Sequence, residues 1–291
     1  MKYDKILHTI RMLSIKKFYS IVCAICLFSL PACAGTSKRP PPPTEERKVI
    51  FSPPSSREKK SDELWDVSDV DISKIKKGRN LIAFTFDDAP TGYLENLIAT
   101  FASFNEANPE WQANATVFFN GYRLKEYSPT LLSEATTFGF ELGNHTYSHA
   151  DLSTLDDERL RREIDEVDLL LEKQDHKPRH LLRAPYGKLS ERVKALAQTP
   201  IIDWTIDTLD WTGVSAEEIR ESVLSKKFNG AIVLMHDGAK HTVEAVKSLL
   251  PALKAENYQV VSVSELAKAH KVSLKRGGTY IRIRPKTTGQ G

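Results

Sequence analysis

Beyond residue 33 the 291-residue chain contains no cysteine; its three thiols are Cys23, Cys26 and Cys33. The body of the protein therefore forms no disulfide and offers no thiolate as nucleophile or metal ligand, so its chemistry rests on histidine, carboxylates and hydroxyls. Long apolar runs are also missing. The longest, Phe18 to Leu30, has 13 residues, short of the roughly 20 needed to cross a bilayer. Glycine is sparse at 14 residues, and no Gly-rich phosphate loop is present, which excludes the common nucleotide-binding motifs. An excess of positive charge is missing where it would matter. The whole chain carries +3, but residues 63–270 hold 23 basic against 33 acidic side chains, a net of −10. An acidic globule with basic ends is no nucleic-acid binder by charge. With 41% apolar and 27% charged residues the chain has enough apolar material for one full-sized core.

The ends read differently from the middle. Lys16-Lys17 precede the short apolar run, which closes in Leu-Pro-Ala-Cys-Ala-Gly; this is the layout of a secretory leader, so the protein is expected to be exported, to the periplasm or to a membrane surface. Leu30-Pro31-Ala32-Cys33 resembles a lipobox that would lipidate Cys33, while Ala32-Cys33-Ala34 also fits ordinary cleavage after Ala34. Residues 34–62 contain six prolines, many charges and few aliphatic side chains, a composition suited to an extended tether. The expected division is a leader over 1–33, the tether over 34–62, a single domain over 63–270 and a basic tail over 271–291. The tail has six cations and no acid. It reads either as an electrostatic attachment to an anionic envelope polymer or as a hydrated end, and the alternation in Tyr280-Ile-Arg-Ile-Arg also suits a short strand.

Between the ends, short apolar runs alternate with stretches of helical length. Seven strands are expected, at Leu81–Asp87, Ala115–Asn120, Phe140–Gly143, His180–Arg183, Ile201–Trp204, Ala231–Met235 and Tyr258–Val261, most of them apolar enough to be covered on both faces. The clearest helix is Leu155–Gln174, with Leu160, Ile164, Val167, Leu170 and Leu171 on one stripe and Thr154 as its cap. Ser215 with Glu218 and Ser262 with Glu265 have capping-box spacing. The pattern predicts an α/β fold, a distorted (β/α)7 barrel.

The polar residues that interrupt the pattern gather at the carboxyl ends of the expected strands, where barrels build active sites. They are Asp87-Asp88, His145-Thr-Tyr-Ser-His149, Arg183-Ala-Pro-Tyr-Gly187, Asp207-Thr-Leu-Asp-Trp211 and Leu234-Met-His-Asp237. Two histidines four apart can face one ligand, and two histidines with one carboxylate form a facial set that leaves positions open on zinc, manganese, cobalt or iron(II). Adjacent Asp87 and Asp88 point to opposite faces of a regular strand, so both serve one site only if the chain turns there. His176, His180, His241 and His270 read as solvated or helix-end residues, and Asp207 as structural.

In order, TFDDAP at Thr85–Pro90, HTYSH at His145–His149, RAPYG at Arg183–Gly187, DTLDW at Asp207–Trp211 and VLMHD at Val233–Asp237 resemble the five motifs of the polysaccharide deacetylase family, the NodB-homology group or carbohydrate esterase family 4. The resemblance spans about residues 81–266. It implies a (β/α)7 barrel and metal-dependent removal of acetyl groups from N-acetylated sugars. It further implies Asp87 as catalytic base; Asp88, His145 and His149 as ligands of one divalent ion, Zn2+ first with Mn2+ or Co2+ as alternatives; and Arg183 as orienter of the base. The Tyr186 backbone N–H is implied as an oxyanion donor, Trp211 and Leu234 as walls of the acetyl pocket, and His236 as general acid tuned by Asp210. Ala89 and Ala184 depart from the family, which usually has glycine and proline there; positive φ at residue 89 would strain an alanine. The resemblance leaves the glycan open: peptidoglycan is favoured because an envelope tether faces it, with chitin oligomers, another exopolysaccharide or O-acetylated xylan as alternatives. Two other classes are a non-catalytic glycan-binding envelope protein and a two-His-one-carboxylate oxygenase, the latter expected on a β-sandwich.

Overall fold

The computed structural model describes residues 64–127 and 129–285. The expected leader with Cys33, the expected tether and residues 286–291 lie outside the described residues. No helix among the described residues is long and apolar enough to cross a membrane.

The chain runs β1 (Asn80–Ala89), α1 (Leu94–Ala107), β2 (Thr116–Phe119), α2 (Gly121–Glu126), α3 (Pro129–Phe138), β3 (Glu141–Asn144), α4 (Asp157–Asp175), β4 (Leu181–Leu182), α5 (Glu191–Leu196), β5 (Ile201–Ile202), β6 (Ile206–Asp207), α6 (Ala216–Lys226), β7 (Ala231–His236), α7 (Thr242–Ala255), β8 (Tyr258–Val261), α8 (Val263–Ala269) and β9 (Thr279–Tyr280). The strands form one parallel sheet in the order β6-β7-β1-β2-β3-β4-β5-β9, with β8 paired to β1. This is the expected distorted (β/α)7 barrel. All seven expected strands are present, and two short ones, β6 and β9, add to them.

Strand periodicity divides β1 between two cores. Ile82, Phe84 and Phe86 pack outward with Leu94, Leu97 and Phe101 of α1 and with Val246, Leu249 and Leu253 of α7. Leu81 and Ala83 point into the barrel, against Phe118, Leu181, Ile202, Ile232 and Val261. Thr85 and Asp87 continue that inward row, so the same alternation that fills the barrel floor delivers a carboxylate to its carboxyl-terminal mouth.

Three expectations need correction. Helix α4 is capped by Asp156, whose side chain accepts the N–H of Arg159, while Thr154 lies in a preceding 3-10 turn with its hydroxyl donated to the Asp151 carbonyl. Leu170 is only half-buried, and Glu163, Asp165 and Asp168 share the buried side of the helix instead. The basic segment after residue 270 is, as far as 285, part of the fold. Strand β9 pairs with β5, Arg282 bridges to Ala231 of β7, and Leu274 and Ile283 are buried. Its apolar residues decide this, because they fill the gap between β5 and β7 while Lys271, Lys275, Arg282 and Arg284 stay exposed.

Candidate active site

At the carboxyl end of β1 the pairing register with β2 shifts between Phe86 and Ala89, and Asp88 takes φ of 65°. The bulge supplies the turn that two adjacent carboxylates require in order to face one side. It falls on Asp88, a residue type that tolerates the left-handed region; Ala89 has no positive φ, so its methyl is not strained there.

Asp87 is buried, and its Oδ1 accepts from Arg183 at 2.8 Å. Arg183 has no solvent exposure. Its guanidinium also donates to Thr85 Oγ1 (2.6 Å) and to the carbonyls of Ile202 (2.9 Å) and Asp203 (3.2 Å). It lies over the Phe118 ring, 4.4 Å from the centroid. Room for Phe118 comes from Gly143 on β3, where a Cβ would stand 2.5 Å from the ring. A buried guanidinium with this many acceptors keeps its charge and fixes the carboxylate beside it.

The histidines follow β3. His145 Nδ1 lies 2.8 Å from the Arg183 carbonyl, which assigns the proton to Nδ1 and leaves Nε2 as a ligand atom. Nε2 lies 3.8 Å from Asp88 Oδ1 and 3.6 Å from Asp87 Oδ2, and His149 Nε2 is 3.5 Å from Asp88 Oδ1. Asp88, His145 and His149 are the set found among the described residues whose ligand atoms all lie within 4.8 Å of one another. Two imidazoles and one carboxylate, with one imidazole already oriented from behind, fit a divalent cation. Burial raises the Asp88 carboxyl, but His145 and His149 outweigh it and hold it below the ordinary carboxylate range. The loop between the histidines is anchored from α4: Ser148 donates its N–H and hydroxyl to the Glu163 carboxylate at 2.8 and 2.7 Å.

Across β1, His236 is the register partner of Asp87. Its Nδ1 lies 2.7 Å from Asp210 Oδ1, and its N–H donates to Asp210 Oδ2 at 2.7 Å, where Thr242 also donates at 2.5 Å. Burial disfavours the imidazolium, but the Asp210 hydrogen bond and the charges of Asp87, Asp210 and Asp88 outweigh it and raise His236 to about 8. Leu234 is buried on β7, whereas Trp211 and Tyr186 are exposed at the mouth, at 63% and 52%. Tyr186 stands edge-on to His149 at 4.8 Å, with φ of 63°.

Thr242 lies outside the sequence motifs, and Thr85 and Asp237, which open TFDDAP and close VLMHD, carry no role in the sequence reading. Thr85 had a signal, since it stands two residues before Asp87 on the same strand face. The unassigned histidines divide. His176, His241 and His270 end or begin helices, His270 being buried there with its Nδ1 2.6 Å from the Ile283 carbonyl, but His180 is neither solvated nor at a helix end: it is buried between Asp168 (3.0 Å) and Asp175 (3.2 Å).

The sequence profile described as polysaccharide deacetylase matches residues 74–201. Over 203 residues the chain is 32% identical to the peptidoglycan-N-acetylglucosamine deacetylase of Bacillus cereus, an alignment covering 67% of this chain and 92% of that protein. The chain belongs to the polysaccharide deacetylase family. This deacetylase is also 27% identical over 197 residues to the peptidoglycan-N-acetylmuramic acid deacetylase PdaC of Bacillus subtilis, covering 68% of this chain and 41% of that one. Among solved structures, one described as "T48 deacetylase with substrate" superposes on it with a TM-score of 0.64 at 29% identity, over 69% of this chain and 96% of the other.

Proposed function

We propose that this deacetylase removes acetyl groups from the N-acetylglucosamine units of peptidoglycan. The observation that carries the reading is a buried carboxylate, Asp87, held by Arg183 beside the Asp88, His145 and His149 set, with the His236–Asp210 pair opposite it on the next strand. The glycan is argued from the Bacillus cereus relative and from the expected envelope-directed leader and tether, with Cys33 as a lipid anchor.

Asp88, His145 and His149 would hold one divalent cation, and two imidazoles with a carboxylate suit Zn2+ first, with Mn2+ or Co2+ accepted by the same set. When bound, the cation would polarise the acetyl carbonyl and acidify water. Asp87 acts as general base, aimed by the hydrogen bond from Arg183. His236 delivers a proton to the departing sugar nitrogen, and Asp210 holds its Nδ1, which leaves Nε2 as the donor. The Tyr186 N–H steadies the negative oxygen of the tetrahedral intermediate, and Leu234 and Trp211 bound the acetyl group. No fitting alternative supports an oxygenase, because the ligands stand on a parallel barrel.

The test is acetate release by the purified protein from peptidoglycan, chitin oligomers and acetylated xylan, with and without a chelator. Chelator-sensitive release from peptidoglycan glucosamine is expected. Release from xylan alone overturns the glycan assignment, and release from N-acetylmuramic acid alone moves it to the sugar named for the Bacillus subtilis relative.

A further inference from the structure

Asp237 follows His236 at the end of β7 and is fully buried. Its hydrogen bonds go to the turn that leaves β1. The Asp237 N–H donates to the Asp87 carbonyl at 2.9 Å, its Oδ2 accepts the N–H of Thr91 at 2.5 Å, and its carbonyl accepts the Thr91 hydroxyl at 3.1 Å. One residue thus grips both ends of segment 87–91. Within that segment Asp88 occupies the left-handed region, a conformation that persists only where its surroundings over-determine it.

Packing alone does not account for an aspartate here. Its Oδ1 is buried without a hydrogen-bond partner among the described residues, and a half-satisfied buried carboxyl is a poor filler compared with an apolar side chain of similar size. The oxygen that is satisfied holds a backbone N–H three residues from Asp88, which no apolar residue could do.

We infer that Asp237 is a positioning residue, bracing the Asp87–Thr91 turn so that base and metal ligand keep their relative geometry. The inference rests on the proposed roles of Asp87 and Asp88. Its action is through the turn, so its loss is felt in metal affinity and turnover before it is felt in substrate binding.

The experiment uses the full chain and its Asp237→Ala and Asp237→Asn variants. Zn2+ dissociation constants are measured by competition with a chromophoric chelator, and kcat and KM on a soluble N-acetylated oligomer at saturating Zn2+. Asp237→Ala is expected to weaken Zn2+ binding and lower kcat by about tenfold or more each, the range typical of residues that orient metal ligands, with KM within about threefold. Asp237→Asn keeps an oxygen for the Thr91 N–H and is expected within about threefold of wild type in both. Unchanged Zn2+ affinity and kcat in Asp237→Ala overturn the brace. So does an Asn variant that falls as far as Ala, since charge would then be the property that matters. If Asp237→Ala does not fold, Asp237→Ser, too short to reach the Thr91 N–H, is read against the same expectations. Asp88→Ala is measured in parallel: if it binds Zn2+ as tightly as wild type, the metal-ligand reading falls and the brace with it, whereas weak binding there beside an unaltered Asp237→Ala removes the brace alone.

Discussion

Arg183 carries a full charge without touching solvent, and its tolerance depends on Asp87, Thr85 and two backbone carbonyls acting together. Removing one member of such a buried pair leaves the other charge uncompensated. Arg183→Met is therefore expected to lower stability by about 3–5 kcal/mol in urea unfolding; a loss below about 1 kcal/mol would mean that Asp87 is held by something else. Asp87→Asn separates chemistry from binding, because the amide keeps the shape but accepts no proton. It should retain Zn2+ while acetate release falls roughly 10²-fold or more, and near wild-type release would remove Asp87 from the mechanism. At this scale the sequence announces residues that sit in spaced, polar, strand-ending clusters. It gives no role to Thr85 and Asp237, whose partners, Arg183 and Thr91, lie 98 and 146 positions away. Nor does it say which residue makes the β1 turn: the strain falls on Asp88 rather than on Ala89, since the bulge that creates it is a property of the β1–β2 ladder.

Helix α4 is the element that does most for the site without entering it. Leu160, Ile164, Val167 and Leu171 seat it, as its apolar period implies, and both expected capping boxes, at Ser215 and Ser262, form. What periodicity hides is that three acids share the buried face. Asp168 accepts from Asn144 Nδ2 at 2.9 Å, Asp165 pairs with Arg179, and Glu163 holds Ser148 between the two histidines. A buried acid within a helical stripe counts as a break in the pattern until its partner is known, and here the partners come from the last residue of β3, from the loop after it and from the segment before β4. Burial raises the Glu163 carboxyl, and the Ser148 N–H opposes that rise. Glu163→Ala should leave two buried donors of Ser148 unpaired, lowering stability by roughly 1–3 kcal/mol and loosening the loop that carries His149. Calorimetry with and without Zn2+ checks both effects. A variant whose thermal shift on adding Zn2+ equals that of wild type would confine Glu163 to scaffolding.

The whole barrel is closed by its last segment. Ile283 donates its N–H to the Gly230 carbonyl at 2.8 Å, and Gly230, at φ of 99°, has no room for a Cβ, which would stand 2.3 Å from the Ile283 oxygen. Deleting residues 271–291 should therefore abolish soluble, active protein rather than merely weaken retention on a glycan, and full turnover by the truncated chain would return the segment to the status of a tail. In the sequence the alternation of Tyr280-Ile-Arg-Ile-Arg suits the strand, but six cations mask Leu274 and Ile283, the two side chains that close the core. At the opposite end of the barrel from the active site, His180 at the start of β4 couples the fold to pH. Burial disfavours its charged form, but hydrogen bonds and charges from Asp168 and Asp175 outweigh this and raise it to about 9 from an ordinary value near 6.5. The folded state thus binds the proton more tightly than the unfolded chain. The stabilisation is fully present below about pH 6.5 and is lost as pH rises through 9. In His180→Gln that dependence should vanish, so the difference in unfolding free energy between wild type and variant should shrink steadily from pH 6.5 to pH 9.5. A difference that stays constant over this interval would show that His180 is neutral in the folded protein and that Asp168 is balanced by Arg179, 3.3 Å away, and Asp175 by the charge of Lys177 instead.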